Sequence, residues 1–188
     1  MKRLLLDVNV VLDVLLDREP FADDSSAVWS AIEQGDADGM LSAHAVTTLH
    51  YLNTKVVGPR MATGTTEGLL SVFEVAAVDE HVLRSAIALE WNDFEDAVTA
   101  AAAKRAKCDA VVTRNPRDFK GSPTRVLTPA EAIAWLQSSP LNATHRQRQD
   151  QADSSPRPSL VRLRAWGPDA ADVREVPVVR AGSGTGAP

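Results

Sequence analysis

Short apolar runs alternate with longer segments whose apolar residues recur at helical spacing. Residues 3–6 form a first strand whose apolar run, Leu4 to Leu6, is cut off abruptly by Asp7. Residues 8–16 place Val10, Val11, Leu15 and Leu16 on one helical face, and residues 22–34 read as an amphipathic helix stopped by Gly35. Met40-Leu41-Ser42 is a second short strand, followed by a helix from about residue 45 to 57 and a Gly58-Pro59 turn. Residues 63–70 continue as helix, and residues 73–78 make a third strand. Asp79 then caps a helix whose apolar side carries Val82, Leu83, Ala86, Ile87 and Leu89.

Residues 93–119 are the stretch around which the pattern is organised. Asn92 or Asp93 can cap a helix, because a short polar side chain there accepts a bond from a free backbone N–H. Residues 97–103 are nearly all small, giving a thin helix that can lie close to a sheet through Val98, Ala101 and Ala102. Ala110-Val111-Val112-Thr113 suits a strand covered on both faces. A polar loop, Arg114-Asn115-Pro116-Arg117-Asp118, leaves the end of that strand, where open α/β sheets place their ligands. Val126-Leu127 is a brief fifth strand. Thr128-Pro129-Ala130-Glu131 combines a capping box with a proline at the first helical position, and residues 130–136 are the helix body. The alternation predicts an α/β fold with a mainly parallel sheet and right-handed crossovers over residues 1–139.

Beyond residue 140 the composition changes. The segment HRQRQDQADSSPRPS offers almost nothing to bury, residues 160–166 and 173–179 could pair as two weak strands, and the end reads as flexible. Residues 140–188 are thus expected to be a largely disordered tail. The net charge of −5 divides unevenly: residues 141–188 carry seven Arg against five acids, so residues 1–140 carry −7. An acidic domain is a poor electrostatic match for nucleic acid unless its acids surround a metal. The single Cys108 forms no internal disulfide and reads as a small buried hydrophobe, the four histidines lack zinc spacing, and no apolar run approaches the ~18 residues of a membrane helix. These features point to a cytoplasmic chain with no membrane partner.

The chemistry-bearing residues come from three segments: Asp7, then Asp93 and Asp96, then Asn115 and Asp118. Asp93 and Asp96, three residues apart, share the face of one helical turn. Asp7 at a buried strand tip is open between a structural cap and a functional ligand, since an unpaired buried carboxylate is costly; Asp13 reads as a solvated or capping acid. Carboxylates converging without matched Lys or Arg repel one another, and a hard cation such as Mg²⁺ or Mn²⁺ resolves the conflict. The bland reading, caps and turn residues, holds equally well for Asp93 and Asp118 taken singly.

Four segments, LLLDVNVVLDVLLDREPF, LSAHAVTTLHYL, DFEDAVTAAAAKRAKCDAVVTRNPRDF and VLTPAEAIAWL, together resemble a PIN-domain protein over about residues 3–137. That family includes the toxin ribonucleases of VapBC-type toxin–antitoxin modules. The resemblance implies a three-layer α/β/α fold with a five-stranded parallel sheet in the order 3-2-1-4-5. It also implies Mg²⁺- or Mn²⁺-dependent cleavage of single-stranded RNA, a protein antitoxin, and possible homodimers. By motif, Asp7 takes the family's first acid with Asn9 as its polar helper, and Asp96 takes the acid that opens the alanine-rich helix. In the last motif Asn115 or Asp118 would hold a water on the metal. The family's glutamate after strand two is replaced by Thr48, which could hold a water through its hydroxyl, while Asp93 could supply the missing charge. His50 projects from a different helix face.

The leading function is therefore a metal-dependent endoribonuclease, the toxin half of such a pair. The alternative is a catalytically weakened PIN-like module that binds RNA or a protein, which Thr48 would permit. A haloacid-dehalogenase-type hydrolase is disfavoured, because Asn9 stands where its second Asp belongs, and there is no GxxxxGK[ST] loop. RNA contact would fall to Arg114, Arg117 and Lys120, with Lys104, Arg105, Lys107 and Arg125, unless these form only a solvated face.

Overall fold

The computed structural model describes residues 1–138; the expected tail and its two weak strands lie outside them. The elements are β1 (Arg3–Leu6), α1 (Val8–Leu15), α2 (Ala22–Glu33), β2 (Asp38–Ser42), α3 (Ala43–Val57), α4 (Pro59–Val72), β3 (Glu74–Ala76), α5 (Glu80–Ile87), α6 (Phe94–Arg105), β4 (Ala110–Val112), β5 (Arg125–Leu127) and α7 (Pro129–Gln137). All strand pairs are parallel, in the order β3-β2-β1-β4-β5. The architecture and strand order are those expected from the sequence.

Alternation along the central strands divides the core into two. Leu4, Leu6, Leu41, Ala110 and Val112 face one side, where they meet Val10, Val14, Val28, Trp29, Leu49 and Leu136. Leu5, Met40 and Val111 face the other, against Val82, Ala86 and the alanines of α6. Residues 97–103 are buried all round, because α5 covers the face of α6 that the sheet does not.

Local chemistry sets the element ends. Ser42 accepts from the Ala45 N–H at 3.0 Å and so starts α3 at the tip of β2. Gly58, at φ 82°, makes the turn from which α4 begins at Pro59, earlier than the apolar pattern suggested; proline at a first helical position forfeits only an N–H that had no partner. The α7 capping box is present in both directions. Two expectations are corrected. Leu83 and Ile87 are exposed, not part of the packed side of α5, since this outer helix buries only the Val82–Ala86 stripe. Asp13 is not solvated: it is fully buried within α1.

Gly39 in β2 is a point of close approach. A Cβ there would stand 2.6 Å from Ile32 Cγ2 and 2.8 Å from Phe73 Cδ1, the ring that meets Trp29 edge-on at 4.8 Å. Gly39→Ala should therefore cost about 1–3 kcal/mol through overpacking, seen as a lower urea midpoint with an unchanged m-value. An unaltered midpoint would mean that α2 shifts freely over the sheet.

Candidate active site at the carboxyl ends of the strands

Asp7 stands at the carboxyl tip of β1, next to the point where the chain order reverses between β1 and β4. Its backbone N–H donates to Val112 O at 2.9 Å, extending the β1–β4 ladder by one residue. Its carboxylate is buried and accepts from Thr113 Oγ1 at 2.7 Å and Asn9 Nδ2 at 2.6 Å. Burial pushes its pKa upward, against the lowering effect of the Thr113 bond. Thr113 is a site residue that the sequence reading missed. Its only signal was its position, one step past the apolar run of β4.

A second group comes from the start of α6. Asp93 caps the helix, its Oδ1 accepting from the Glu95 N–H at 2.9 Å and the Asp96 N–H at 3.2 Å. Asp96, half-buried, has its pKa pushed up to about 7 by burial and by the charges of Asp7, Asp93, Asp118 and Glu95. That coupling gathers acids from three segments of the chain. Among the described residues, no ion pair reaches Asp7, Asp93, Asp96 or Asp118.

Glu95 was not anticipated. Its Oε1 lies 3.1 Å from His44 Nε2 and 3.5 Å from Thr48 Oγ1, on α3. His44 and Thr48, one turn apart, share a face of that helix, while His50 bonds Thr66 of α4 instead, at 2.9 Å. The four histidines lack zinc spacing, yet the fold sets one of them, His44, against a carboxylate of the α6 motif. DFED hid Glu95 in plain view, between two acids with motif support.

The loop after β4 is held at both ends. Arg114 donates from Nη1 to Asp13 Oδ1 at 3.0 Å, lies 4.5 Å over the Phe21 ring, and its backbone N–H donates to Asn9 Oδ1 at 3.2 Å. Phe119 is buried edge-on against Trp91, with ring centroids 5.7 Å apart. Between these anchors Asn115 and Asp118 are exposed, and Asp118 N–H closes a turn on Asn115 O at 3.0 Å. Asn9 thus ties the Asp7 carboxylate to the loop that carries Asp118. Of the expected RNA contacts, Arg117 and Lys120 are exposed beside Asp118, whereas Arg114 is engaged with Asp13. Lys104, Arg105 and Lys107 sit at the far end of α6, at least ~12 Å along the helix from Asp96, and Arg105 pairs with Asp79 there at 3.4 Å.

Chemically, this is a set of hard oxygen donors with no basic counterion on its two central members, suited to Mg²⁺ or Mn²⁺. Asp7, Asp96 and Asp93 are the side chains that would hold such an ion, with Asn115 or Asp118 holding its water. As they stand, no three His, Cys, Asp or Glu side chains among the described residues are drawn together into a ready ion-binding group. No helix among those residues is long and apolar enough to cross a membrane.

Fold and acid cluster together define an α/β domain with an acidic edge at the switch point of a 3-2-1-4-5 sheet. The PIN domain family model matches residues 3–117, and the chain belongs to that family. Several solved structures share the fold. DNA-bound VapBC from Salmonella typhimurium is matched at 20% identity and a TM-score of 0.52, over 69% of this chain and 99% of that one. A toxin–antitoxin complex from Klebsiella pneumoniae is matched at 24% identity and 0.52, over 68% and 98%. FitAcB from Neisseria gonorrhoeae is matched at 24% identity and 0.51, over 67% and 97%. No curated protein sequence matches the chain.

Proposed function

We propose that the protein is a Mg²⁺- or Mn²⁺-dependent endoribonuclease that cleaves single-stranded RNA, and that it is the toxin of a type II toxin–antitoxin pair. The observation that carries this reading is that the charges of Asp7 and Asp118, from two other segments of the chain, bear on Asp96, and that among the described residues no ion pair reaches Asp7 or Asp96. A divalent ion bound there supplies charge neutralisation at the phosphate and a water acidic enough to attack it near neutral pH. Asp7 is held rigid by Thr113 and Asn9, so its oxygens are oriented before any ligand arrives. In this reading the exposed Asn115 and Asp118 would orient the attacking water, and the exposed Arg117 and Lys120 would meet the RNA backbone. The structural neighbours in toxin–antitoxin complexes support a protein antitoxin.

Thr48 in the usual glutamate position favours a second reading, a weakened module that binds RNA or a protein without cutting. Cleavage products separate the two. The first reading expects 5′-phosphate and 3′-OH ends in Mn²⁺, no reaction in EDTA, and continued cutting of a substrate with a 2′-deoxy sugar at the scissile position. Ends bearing a 2′,3′-cyclic phosphate, formed without metal, would replace this chemistry with attack by the RNA's own 2′-OH. RNA binding with no cleavage in either metal would favour the module.

A further inference from the structure

We propose, resting on RNA as the substrate as above, that the turn between α1 and α2 is a nucleotide subsite: Phe21 stacks an unpaired base, and Arg18 holds the adjoining phosphate. The turn folds back tightly on α1. Arg18 N–H donates to Asp13 O at 3.0 Å, and Phe21 N–H donates to Arg18 O at 2.9 Å. Arg18 thereby comes within the field of the buried Asp13 carboxylate, which already pairs with Arg114 at 3.0 Å. Two guanidinium groups thus share one carboxylate, and among the described residues Arg18 forms no ion pair of its own. Burial lowers the Arg18 pKa, Asp13 raises it, and Arg114 lowers it. A cation drawn partly out of water and short of a counterion is a place for an anion. Exposed Asp17, Glu19, Asp23 and Asp24 flank this stretch in sequence, yet none is among the charges that bear on Arg18.

The ring supplies the second half of the subsite. Val28, Trp29 and Ile32 of α2 are buried, but Phe21 at its N-cap keeps 43% of its surface in solvent. Arg114 lies 4.5 Å over one face of the ring, so the open area belongs to the opposite face and the edge. Unpaired bases stack on flat aromatic platforms of this kind whatever their identity. Hydrogen bonds tie the platform to the acid cluster. The Arg114 backbone N–H donates to Asn9 Oδ1 at 3.2 Å, and Asn9 Nδ2 donates to the Asp7 carboxylate at 2.6 Å. A strand with one base on Phe21 is therefore held against the loop that carries Asn115 and Asp118. Stacking needs an unpaired base, so the platform selects single strands. In a domain carrying −7 over residues 1–140, Arg18 also gives RNA a local attraction that the net charge denies.

RNA binding is measured by fluorescence anisotropy of a labelled single-stranded oligonucleotide, in EDTA, on the full chain carrying Asp96→Asn as the uncutting parent. Phe21→Leu keeps an apolar cover over Arg114 but removes the π-face. It should weaken binding by about fivefold or more, the low end of one base–aromatic stack, with the melting temperature unchanged. Phe21→Trp should bind at least as tightly as the parent. Arg18→Gln should lower the slope of log affinity against log salt by about 0.7, one phosphate contact on a single strand. Arg84→Gln, on exposed α5 across the sheet, should change neither quantity. 5-Iodouridine in the same RNA should photo-cross-link to Phe21 in the parent, which a purely structural ring would not do. If Phe21→Leu and Arg18→Gln bind as the parent does, or cross-links fall only on other residues, the subsite is overturned and RNA remains the substrate. A parent that binds no RNA would overturn both, and leave the exposed ring to a protein partner.

Discussion

Asp96→Asn should remove RNA cleavage while making the metal-free protein more stable. The loss in rate is expected to be roughly 10²–10³-fold or more, the scale of deleting one preorganised electrostatic group. The gain in stability follows from linkage. In the folded chain Asp96 titrates at about 7, well above the ordinary value near ~3.9, so the folded state binds its proton more tightly than the unfolded state. The penalty of the charged form is fully present above pH 7 and is relieved as pH falls toward 4. Asp7 is shifted in the same direction. Metal-free wild type should therefore melt at a higher temperature at pH 5 than at pH 8, and Asp96→Asn should flatten that slope. At pH 8 the variant should be more stable by roughly 2 kcal/mol, allowing for solvent at a half-buried carboxyl. Calorimetry at the two pH values in EDTA measures both effects. A variant that melts below wild type at pH 8 would show that Asp96 is a structural partner and not a repelled ligand.

Asp13→Ala should be the most damaging single change away from the acid cluster. Asp13 has no solvent contact, and burial raises its pKa to about 6 even though Arg114 and Arg18 oppose the shift. The ion pair is thus not a large net gain by itself. The damage comes from what is left behind: an Arg114 guanidinium without its carboxylate, and a hole beside Ser25. Breaking such a pair from one side costs about 3 kcal/mol, or a fall of roughly 10 °C in melting temperature for a domain of this size. The backbone of the 114–119 loop should lose hydrogen-exchange protection, because Arg114 is one of its two anchors. Asp13→Asn, which keeps the volume and one acceptor, should cost less. A fall of under 2 °C for Asp13→Ala would mean that Phe21 stacking and the Asn9 bond alone hold the loop.

The same two regions mark where sequence patterning stops being informative. Asp13 sits on a helix among Val10, Val11 and Val14, and periodicity treats any acid in such a run as an outward residue. Only the arrival of Arg114, 101 residues later, makes its burial tolerable. Leu83 and Ile87 erred in the other direction: they follow helical spacing, yet α5 is a flank helix with a single packed stripe. Glu95, His44 and Thr113 escaped notice because each gains its meaning from a partner on another element.

What the sequence by itself determined were the properties written in neighbouring residues. Five short apolar runs, the Ser42, Asp79, Asp93 and Thr128 caps, and the alanine-rich body of α6 depend on contacts within a few positions, so they fixed the elements and the α/β class. Asp7 and Asp96 could be picked out because each stands at an element terminus, where a charge has a local cause to be. Tertiary structure alone decided which acids share a field, which arginine is spent on a buried carboxylate, and which histidine faces the cluster. Those outcomes depend on distances between segments some 50 to 100 residues apart. Coulomb and desolvation energies change steeply over a few ångströms, and spacing along the chain carries no record of them.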